Sequence, residues 1–271
     1  MIKEIEKHIQ LLKEQYSLDI SIYDHSYLEK AFYSRMNSTF CENLDFYFQY
    51  LGKIPDEPFH LLGQLSNSYS EFFRNSLTFS LLEQAILPRL FNLKETEIRI
   101  WSAACASGQE AYSLAILFND YKEKNKTSIG FRILATDSSE SELEMARKGI
   151  FDLKTLKNTP IGFAEKYFSR TGDTFLLNQA IREQLDFSYY DLLSKESSSP
   201  PSGIYGDYDL IMCCNVLFYY ESEYQQIILN KIHRSLKPGG FFITGEAETH
   251  LVNAFRGFKP FATPSAIFVK S

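Results

Sequence analysis

A loop of small residues and an acidic strand end could together bind a nucleoside. The loop, Ser102–Gly108, follows a predicted buried strand, Ile98–Ala104, and its small side chains let the backbone approach a ligand closely. Gly108 is its only glycine, so the spacing that cradles a pyrophosphate is absent, which disfavours NAD and ATP. Asp137 follows the predicted strand Phe131–Thr136, where a carboxylate can bind ribose hydroxyls. The pattern favours S-adenosylmethionine, although position alone also allows Asp137 to cap the next helix.

Strands and helices alternate from about residue 97 onward, which predicts βαβ units and a mostly parallel sheet with helices on both faces. In such a sheet, ligands bind at the carboxyl ends of the strands, where the loop and Asp137 lie. The other predicted elements are strands Tyr208–Cys213, Phe241–Gly245 and Ala266–Lys270 and helices Gln109–Tyr121, Ser139–Lys148 and Glu223–Leu236. Residues 151–190 fit the alternation poorly and are predicted to be an insertion.

The first third of the chain has a different pattern. Apolar residues recur at helical spacing, as in Ile2, Ile5 and Ile9, and Pro and Gly residues divide the segment into several short helices. We therefore predict a helical domain over residues 1–92 and an α/β domain over residues 93–271.

Composition narrows the class of protein. The 271 residues include 28 Lys and Arg against 34 Asp and Glu, and a net charge of -6 argues against a general nucleic-acid binder. The four cysteines lack metal-ligand spacing and are expected to be reduced thiols, and the five histidines give no reason to expect a metal. Without a signal peptide or a long apolar run, the protein is expected to be cytoplasmic, and we expect a monomer.

The segment Ile100–Ser113 closely resembles the signature of the CheR family, the chemotaxis protein-glutamate O-methyltransferases. The match continues through Glu71–Arg74, Phe131–Asp137, Cys213–Tyr220 and Leu236–Gly240, so it covers nearly the whole chain. The resemblance implies a Rossmann-like class I methyltransferase sheet, a small N-terminal all-helical domain and a small antiparallel β insertion. The implied cofactor is S-adenosyl-L-methionine, with S-adenosyl-L-homocysteine as product.

The resemblance also implies a set of cofactor-binding positions. Glu110 corresponds to a cofactor-contacting acid and Asp137 to the acid that binds the ribose. Four positions depart from the family pattern, because Ser68 and Asp191 each replace an Asn, Ser70 replaces a Thr and Cys214 replaces the usual Arg. The full set is Ser68, Ser70, Arg74, Glu110, Asp137, Asp191, Leu192, Cys214 and Asn215.

Within this interpretation Arg74 and Tyr219 are the candidate catalytic residues. The guanidinium fork of Arg74 can hold both oxygens of a substrate carboxylate, and Tyr219 is expected near the end of the third strand, where it would orient cofactor or substrate. On the residues alone, Arg74 is also compatible with a surface or capping role and Tyr219 with a place in the core.

Three functions remain open at this point. The leading hypothesis is methyl transfer to glutamate side chains of a chemoreceptor-like signalling protein. The alternatives are a methyltransferase of the same fold acting on another substrate and a non-catalytic module that binds the cofactor or its demethylated product. Cys214 removes a cationic donor from the expected site, and residues 1–90 contain 8 basic against 12 acidic residues, which does not favour docking on an acidic receptor helix.

Overall fold

The computed structural model describes residues 2–66, 69–93, 97–195, 197, 199–200 and 206–271. The chain divides into two compact units, Met1–Ser68 with Phe218–Gln225 and Tyr69–Leu217 with Gln226–Ser271. The sequence had placed the end of the helical domain at residue 92. Residues 69–92 instead belong to the second unit, because their apolar side chains are buried in its core.

The first unit is built from short helices around a core of its own. Asp24 caps the second helix by accepting hydrogen bonds from the backbone of the first turn, and Asn43 caps the third in the same way. A buried ion pair ties the second helix to the fourth, because Arg35 donates two hydrogen bonds, of 2.8 and 2.7 Å, to the carboxylate of Glu57. The helices are α1 (Ile2–Tyr16), α2 (His25–Ser38), α3 (Leu44–Leu51) and α4 (Glu57–Leu65).

The formal charge of the chain is unevenly divided between the two units. The residues of the first unit include 6 basic and 12 acidic side chains, which is a net charge of -6. The residues of the second unit include 22 of each sign. The first unit therefore accounts for the whole net charge of the protein.

The second unit contains a seven-stranded sheet with the order β6-β2-β1-β7-β8-β10-β9. The strands from β6 to β8 are parallel, whereas β10 pairs antiparallel with both β8 and β9. The chain leaves β1 toward β2 on one side and later returns to β7 on the other, so the strand order reverses between β1 and β7. The strands are β1 (Glu97–Ala103), β2 (Gly130–Asp137), β6 (Leu185–Tyr189), β7 (Tyr208–Cys213), β8 (Leu236–Thr244), β9 (Phe258–Pro260) and β10 (Ile267–Lys270).

The remaining helices follow residue 69 in the chain. A π-helical turn, Leu82–Ile86, joins the first two of them. Among the described residues, no helix combines the length and the apolar character that a membrane crossing requires. The helices are α5 (Ser76–Leu81), α6 (Leu87–Leu93), α7 (Gln109–Asn125), α8 (Glu140–Lys148), α9 (Ile161–Tyr167), α10 (Gln179–Arg182), α11 (Ser222–Ser235) and α12 (Thr249–Ala254).

A three-stranded antiparallel sheet interrupts the α/β alternation, with the order β3-β5-β4. Its strands are β3 (Ile150–Asp152), β4 (Phe168–Thr171) and β5 (Thr174–Leu177). The predicted fold class is thereby confirmed, including the small antiparallel insertion. We call residues 150–177 the β insertion.

The predicted extent of the insertion, 151–190, needs correction at its end. Leu185–Tyr189 is the edge strand β6 of the main sheet and pairs in parallel with β2. It was missed because an edge strand is only partly covered, so its sequence lacks the continuous apolar run of the buried parallel strands. A second difference concerns β8, which begins at Leu236 and not at the predicted Phe241. Residues 237–240 form a bulge between the pairs Tyr208–Leu236 and Leu210–Phe241.

Candidate functional site

Two loops flank the point where the strand order reverses. The first loop, Ala104–Gly108, follows β1, and the second loop, Cys214–Leu217, follows β7. In open α/β sheets the crevice at such a point is the usual ligand site. Three non-glycine residues in these loops have left-handed backbone, Ala104 with φ 56°, Ala106 with φ 49° and Asn215 with φ 61°. Each such conformation costs about 1–2 kcal/mol, and strain of this kind concentrates at functional sites.

Asp137, at the end of β2, holds the first loop in place. One carboxylate oxygen accepts a hydrogen bond of 2.8 Å from the backbone N–H of Ala106, and the other accepts one of 2.9 Å from Ser139. The cap of α8 is Ser139, whose hydroxyl accepts from Glu142, so the alternative that Asp137 is this cap is wrong. Burial raises the pKa of Asp137 above its usual value. A carboxylate offers about four acceptor positions, which leaves capacity for the two hydroxyls of a ribose.

Glu110, in the first turn of α7, contacts both the end of β1 and the second loop. Its carboxylate accepts a hydrogen bond of 2.8 Å from the buried hydroxyl of Ser102 and another from the thiol of Cys214. Withdrawal from water raises the pKa of Glu110 to about 7, while the two hydrogen bonds and the positive charge of Arg74 act in the opposite direction. The group therefore changes charge near neutral pH.

Glu248 fixes the second loop and was not found from the sequence. It is fully buried, and its carboxylate accepts hydrogen bonds from the backbone N–H groups of Asn215, Val216 and Leu217 at 2.8, 2.6 and 2.6 Å. It also accepts from the N–H of Gly245 and from the hydroxyl of Thr244. These five donors occupy the carboxylate completely. The only signal in the sequence was its position just beyond a strand end beside β7.

Gly245 permits the close packing of this second loop. A Cβ atom at Gly245 would lie 2.8 Å from the side-chain nitrogen Nδ2 of Asn215, 3.0 Å from its backbone nitrogen and 2.7 Å from a carboxylate oxygen of Glu248. Cys214 is partly exposed, and its thiol lies 3.9 Å from the carbonyl oxygen of Ile243. The thiol thus occupies the position of the family's Arg as a neutral hydrogen-bond donor to Glu110.

Arg74 lies on an irregular segment before α5. Its guanidinium is exposed, donates a hydrogen bond of 3.1 Å to the carbonyl of Tyr69 and lies 5.8 Å from the centre of the Tyr69 ring. The preceding residue, Phe73, is buried with a left-handed φ of 51°, and its N–H donates to the hydroxyl of Ser113 at 3.0 Å. Ser70 is partly exposed on the same segment, and Ser68 lies outside the described residues.

Two further predicted positions follow β6, beside Asp137. Asp191 accepts a hydrogen bond of 2.8 Å from the backbone N–H of Leu193, and Leu192 is buried. The N–H of Tyr190 donates to the backbone carbonyl of Asp137 at 3.0 Å, which ties the two strand ends together.

Tyr219 was expected near the end of the third strand. It lies in a 3-10 helix, Leu217–Tyr219, several residues beyond β7, and the division into units assigns it to the helical one. There its ring packs on Tyr27, with the ring centroids 4.5 Å apart. The structure therefore connects Glu110, Cys214 and Asn215 through adjoining loops and places Asp137 at the neighbouring strand end, whereas Tyr219 belongs to the other unit.

Comparison with known proteins identifies the family. Residues 68–265 match the model described as CheR methyltransferase, SAM binding domain. The chain belongs to the CheR methyltransferase family. A chemotaxis protein methyltransferase of Borreliella burgdorferi is 28% identical over 253 residues, covering 91% of this chain and 88% of that protein. Chemotaxis protein methyltransferase 1 of Pseudomonas aeruginosa is 35% identical over 182 residues, covering 65% of this chain and 64% of that protein. A chemotaxis protein methyltransferase of Listeria monocytogenes is 28% identical over 252 residues, covering 92% of each chain.

As a member of the CheR family the protein is an S-adenosylmethionine-dependent methyltransferase, and the donor set at its crevice fits this cofactor. Asp137 keeps acceptor capacity for ribose hydroxyls, and the left-handed alanines of the first loop keep large side chains away from the ligand. The carboxylate of Glu110 can hold a cationic amino group. The ribose and the amino group of the cofactor therefore each have a complementary carboxylate at this edge of the sheet.

Proposed function

We propose that this protein transfers the methyl group of S-adenosylmethionine to glutamate side-chain carboxylates of a chemoreceptor-like signalling protein in the cytoplasm. The observation that carries the proposal is Arg74, an exposed guanidinium on a fixed backbone segment whose charge acts on Glu110 in the cofactor crevice. A guanidinium recognises a carboxylate through two parallel hydrogen bonds. An acceptor with a carboxylate therefore fits better than one with a neutral or cationic group.

The remaining roles divide between the cofactor and the acceptor. Asp137 holds the ribose and Glu110 the amino group. Ser70, Asp191, Leu192, Cys214 and Asn215 complete the cofactor site. The roles of Ser68 in holding the cofactor and of Tyr219 in orienting the reacting groups stay predictions from the sequence. The bound cofactor supplies a methyl group that is already activated on a sulfonium.

The reaction requires little acid–base catalysis by the protein. A glutamate side chain with a pKa near ~4.3 is already ionised at neutral pH, so no base needs to remove a proton from it. The protein's own contribution is to align the acceptor oxygen with the methyl group and to exclude water. In a two-substrate reaction these two effects supply most of the rate enhancement. Arg74 fixes the acceptor carboxylate in this alignment.

Cys214 changes how the charge of Glu110 is balanced. An Arg at this position would stabilise the ionised carboxylate, whereas the thiol provides a neutral hydrogen bond. We propose that Glu110 becomes fully charged when the cationic amino group of the cofactor is present, so the substitution is compatible with catalysis.

The test is methyl transfer from tritiated S-adenosylmethionine to chemoreceptor cytoplasmic domains, scored as alkali-labile label because a glutamyl methyl ester is hydrolysed by base. The Arg74→Ala variant should lose at least about 100-fold in kcat/KM for the acceptor, since a charged bidentate contact is removed. The matched control is Arg89→Ala, which removes another exposed arginine that lies over an aromatic ring, Phe261, at 4.8 Å. Arg89→Ala should label normally.

Each of the other possible results of this assay would favour one of the alternative functions. Tight binding of S-adenosylhomocysteine without alkali-labile label on any receptor domain would contradict the proposal and favour a non-catalytic module. Appearance of label only after Cys214→Arg would show that the present chain has lost activity. Base-stable label would point to a different acceptor group.

A further inference from the structure

We infer that the β insertion, residues 150–177, positions Arg74 for catalysis through Glu71 and Lys157. The inference rests on the proposed function, because it assigns Arg74 the role of holding the acceptor carboxylate. Neither Glu71 nor Lys157 is expected to touch substrate or cofactor, so both are positioning residues.

The first contact joins Arg74 to Tyr69. The guanidinium donates a hydrogen bond to the carbonyl of Tyr69 and lies over its ring. The hydroxyl of Tyr69 in turn donates to one carboxylate oxygen of Glu71. Tyr69 therefore has hydrogen-bonded contacts at its backbone carbonyl and at its hydroxyl, although its side chain is largely exposed.

The second contact joins Glu71 to the β insertion. Glu71 is 5% exposed, and its carboxylate forms an ion pair with Lys157 and accepts a hydrogen bond of 2.8 Å from the side-chain amide of Asn158. Burial alone would raise the pKa of Glu71, but the hydrogen bonds from Lys157 and Tyr69 lower it below the usual value. A buried carboxylate that is charged and fully bonded is a rigid attachment point.

The aromatic residues between Glu71 and Arg74 attach the same segment to the same insertion. The ring of Phe72 packs edge-on against Phe151 and Phe168, with centroids 4.8 and 5.1 Å apart, and the Phe72 N–H donates to the carbonyl of Thr155 at 2.9 Å. The ring of Phe73 packs on Phe163 at 5.6 Å.

These attachments also support the left-handed backbone of Phe73, which immediately precedes Arg74. A bulky residue in this conformation is strained and keeps it only when its surroundings enforce it. A loosened insertion would let this backbone relax and carry the guanidinium away from the acceptor. A displacement of about 1 Å in such a group can cost on the order of 100-fold in rate.

The decisive variant is Lys157→Met, which removes an exposed charge from the insertion and leaves Arg74 in place. We expect kcat/KM for the receptor acceptor to fall about 10-fold, less than the full misalignment cost because Asn158 and the aromatic contacts remain. Lys157→Arg should restore activity, since a guanidinium can pair with Glu71.

The matched control is Lys166→Met. Lys166 is also an insertion lysine that pairs with a buried carboxylate, that of Asp120 at 3.3 Å, and with Glu123 at 2.6 Å. Both of these partners lie on α7 and not on the segment that carries Arg74. We expect less than a 2-fold change in kcat/KM for this variant. Thermal unfolding of both variants shows whether the two lost ion pairs affect stability alike.

A double-mutant cycle with Arg74→Ala separates positioning from general loss of structure. If Lys157 acts through Arg74, Lys157→Met will have no further effect on kcat/KM in the Arg74→Ala background. Additive losses, or equal losses in Lys157→Met and Lys166→Met, would overturn the inference while leaving the proposed function standing. A fully active Arg74→Ala enzyme would instead overturn the role of Arg74 itself.

Discussion

The first loop and the second loop are each held by a single carboxylate, and the two carboxylates do this differently. Asp137 accepts two backbone hydrogen bonds and remains partly exposed at the end of β2. Glu248 accepts five hydrogen bonds and is completely buried. Both loops contain left-handed non-glycine residues, so both need such support.

The difference shows how one crevice separates ligand binding from internal support. The acceptor positions of Glu248 are used up by the protein, so it can stabilise the second loop but offers nothing to a ligand. Asp137 uses two of its hydrogen-bond acceptor positions within the protein and offers the others to a ligand. Glu110 is intermediate, because it bonds to Ser102 and Cys214 and still changes charge near neutral pH.

The largest effect is expected for Glu248→Ala. Five donors that are now satisfied by one carboxylate would lose their partner, which should lower the free energy of unfolding by about 4 kcal/mol. Urea unfolding monitored by circular dichroism measures this loss. The control is Glu246→Ala, an exposed carboxylate two residues away, which should change the free energy by less than about 0.5 kcal/mol. Equal effects of the two substitutions would contradict the supporting role of Glu248.

The second effect concerns binding rather than stability. Asp137→Ala should raise the Kd for S-adenosylhomocysteine by at least about 100-fold, roughly 3 kcal/mol, because two hydrogen bonds to a charged acceptor are lost. Isothermal titration calorimetry measures the affinity, and Asp137→Asn should lose less because it keeps one acceptor. If Asp137→Ala destabilised the fold as much as Glu248→Ala and left the Kd unchanged, the proposed division between the two carboxylates would be wrong.

A smaller effect is the pH dependence of Glu110. Its folded pKa, about 7, is raised above the ordinary value of 4.5, so the folded state holds a proton that the unfolded state releases. The contribution of this group to stability is therefore present below pH 4.5 and is lost as pH rises through 7. Glu110→Gln should be more stable than the parent by roughly 3 kcal/mol at pH 8 and equal to it near pH 4.5. The measurement is the free energy of unfolding of both proteins between pH 4.5 and 8. A difference between them that does not change with pH would show that the carboxyl titrates normally.

The smallest effect is expected at Cys214. Cys214→Ala removes the thiol hydrogen bond that lowers the pKa of Glu110, so the midpoint of the Glu110 titration should rise. Cys214→Ser keeps a donor and should leave the midpoint near that of the parent, with a change in stability below about 1 kcal/mol. NMR titration of the Glu110 carboxyl carbon measures both. A midpoint that falls in the alanine variant would show that the thiol does not donate to Glu110.

The sheet was predictable because buried parallel strands carry continuous apolar runs. Tyr208–Cys213 has the predicted bounds, and the strand predicted over Ile98–Ala104 differs by one residue at each end from Glu97–Ala103. The edge strand Leu185–Tyr189 could not be predicted in the same way, because only Leu185 of its five residues is buried and it has no continuous apolar run.

Of the candidate site, the residues by themselves indicated Asp137, because it stands at the end of a predicted strand. Glu110 was expected only from the resemblance to the CheR family. Glu248 lies 33 residues beyond its partner Asn215, and only tertiary structure brings the two together. The same is true of Glu71 and Asn158, which are separated by 87 residues.

The negative charge of the helical unit should affect how fast the enzyme associates with its acceptor protein. Under the proposed function the acceptor is a carboxylate, and each transfer removes one negative charge from it. A unit with a net charge of -6 therefore repels an unmodified acceptor more than a modified one and slows its diffusional approach. Dissolved ions screen this repulsion over about 8 Å at physiological ionic strength. Added salt should consequently speed the association of this enzyme with an acidic acceptor, the reverse of an enzyme that attracts its partner by charge.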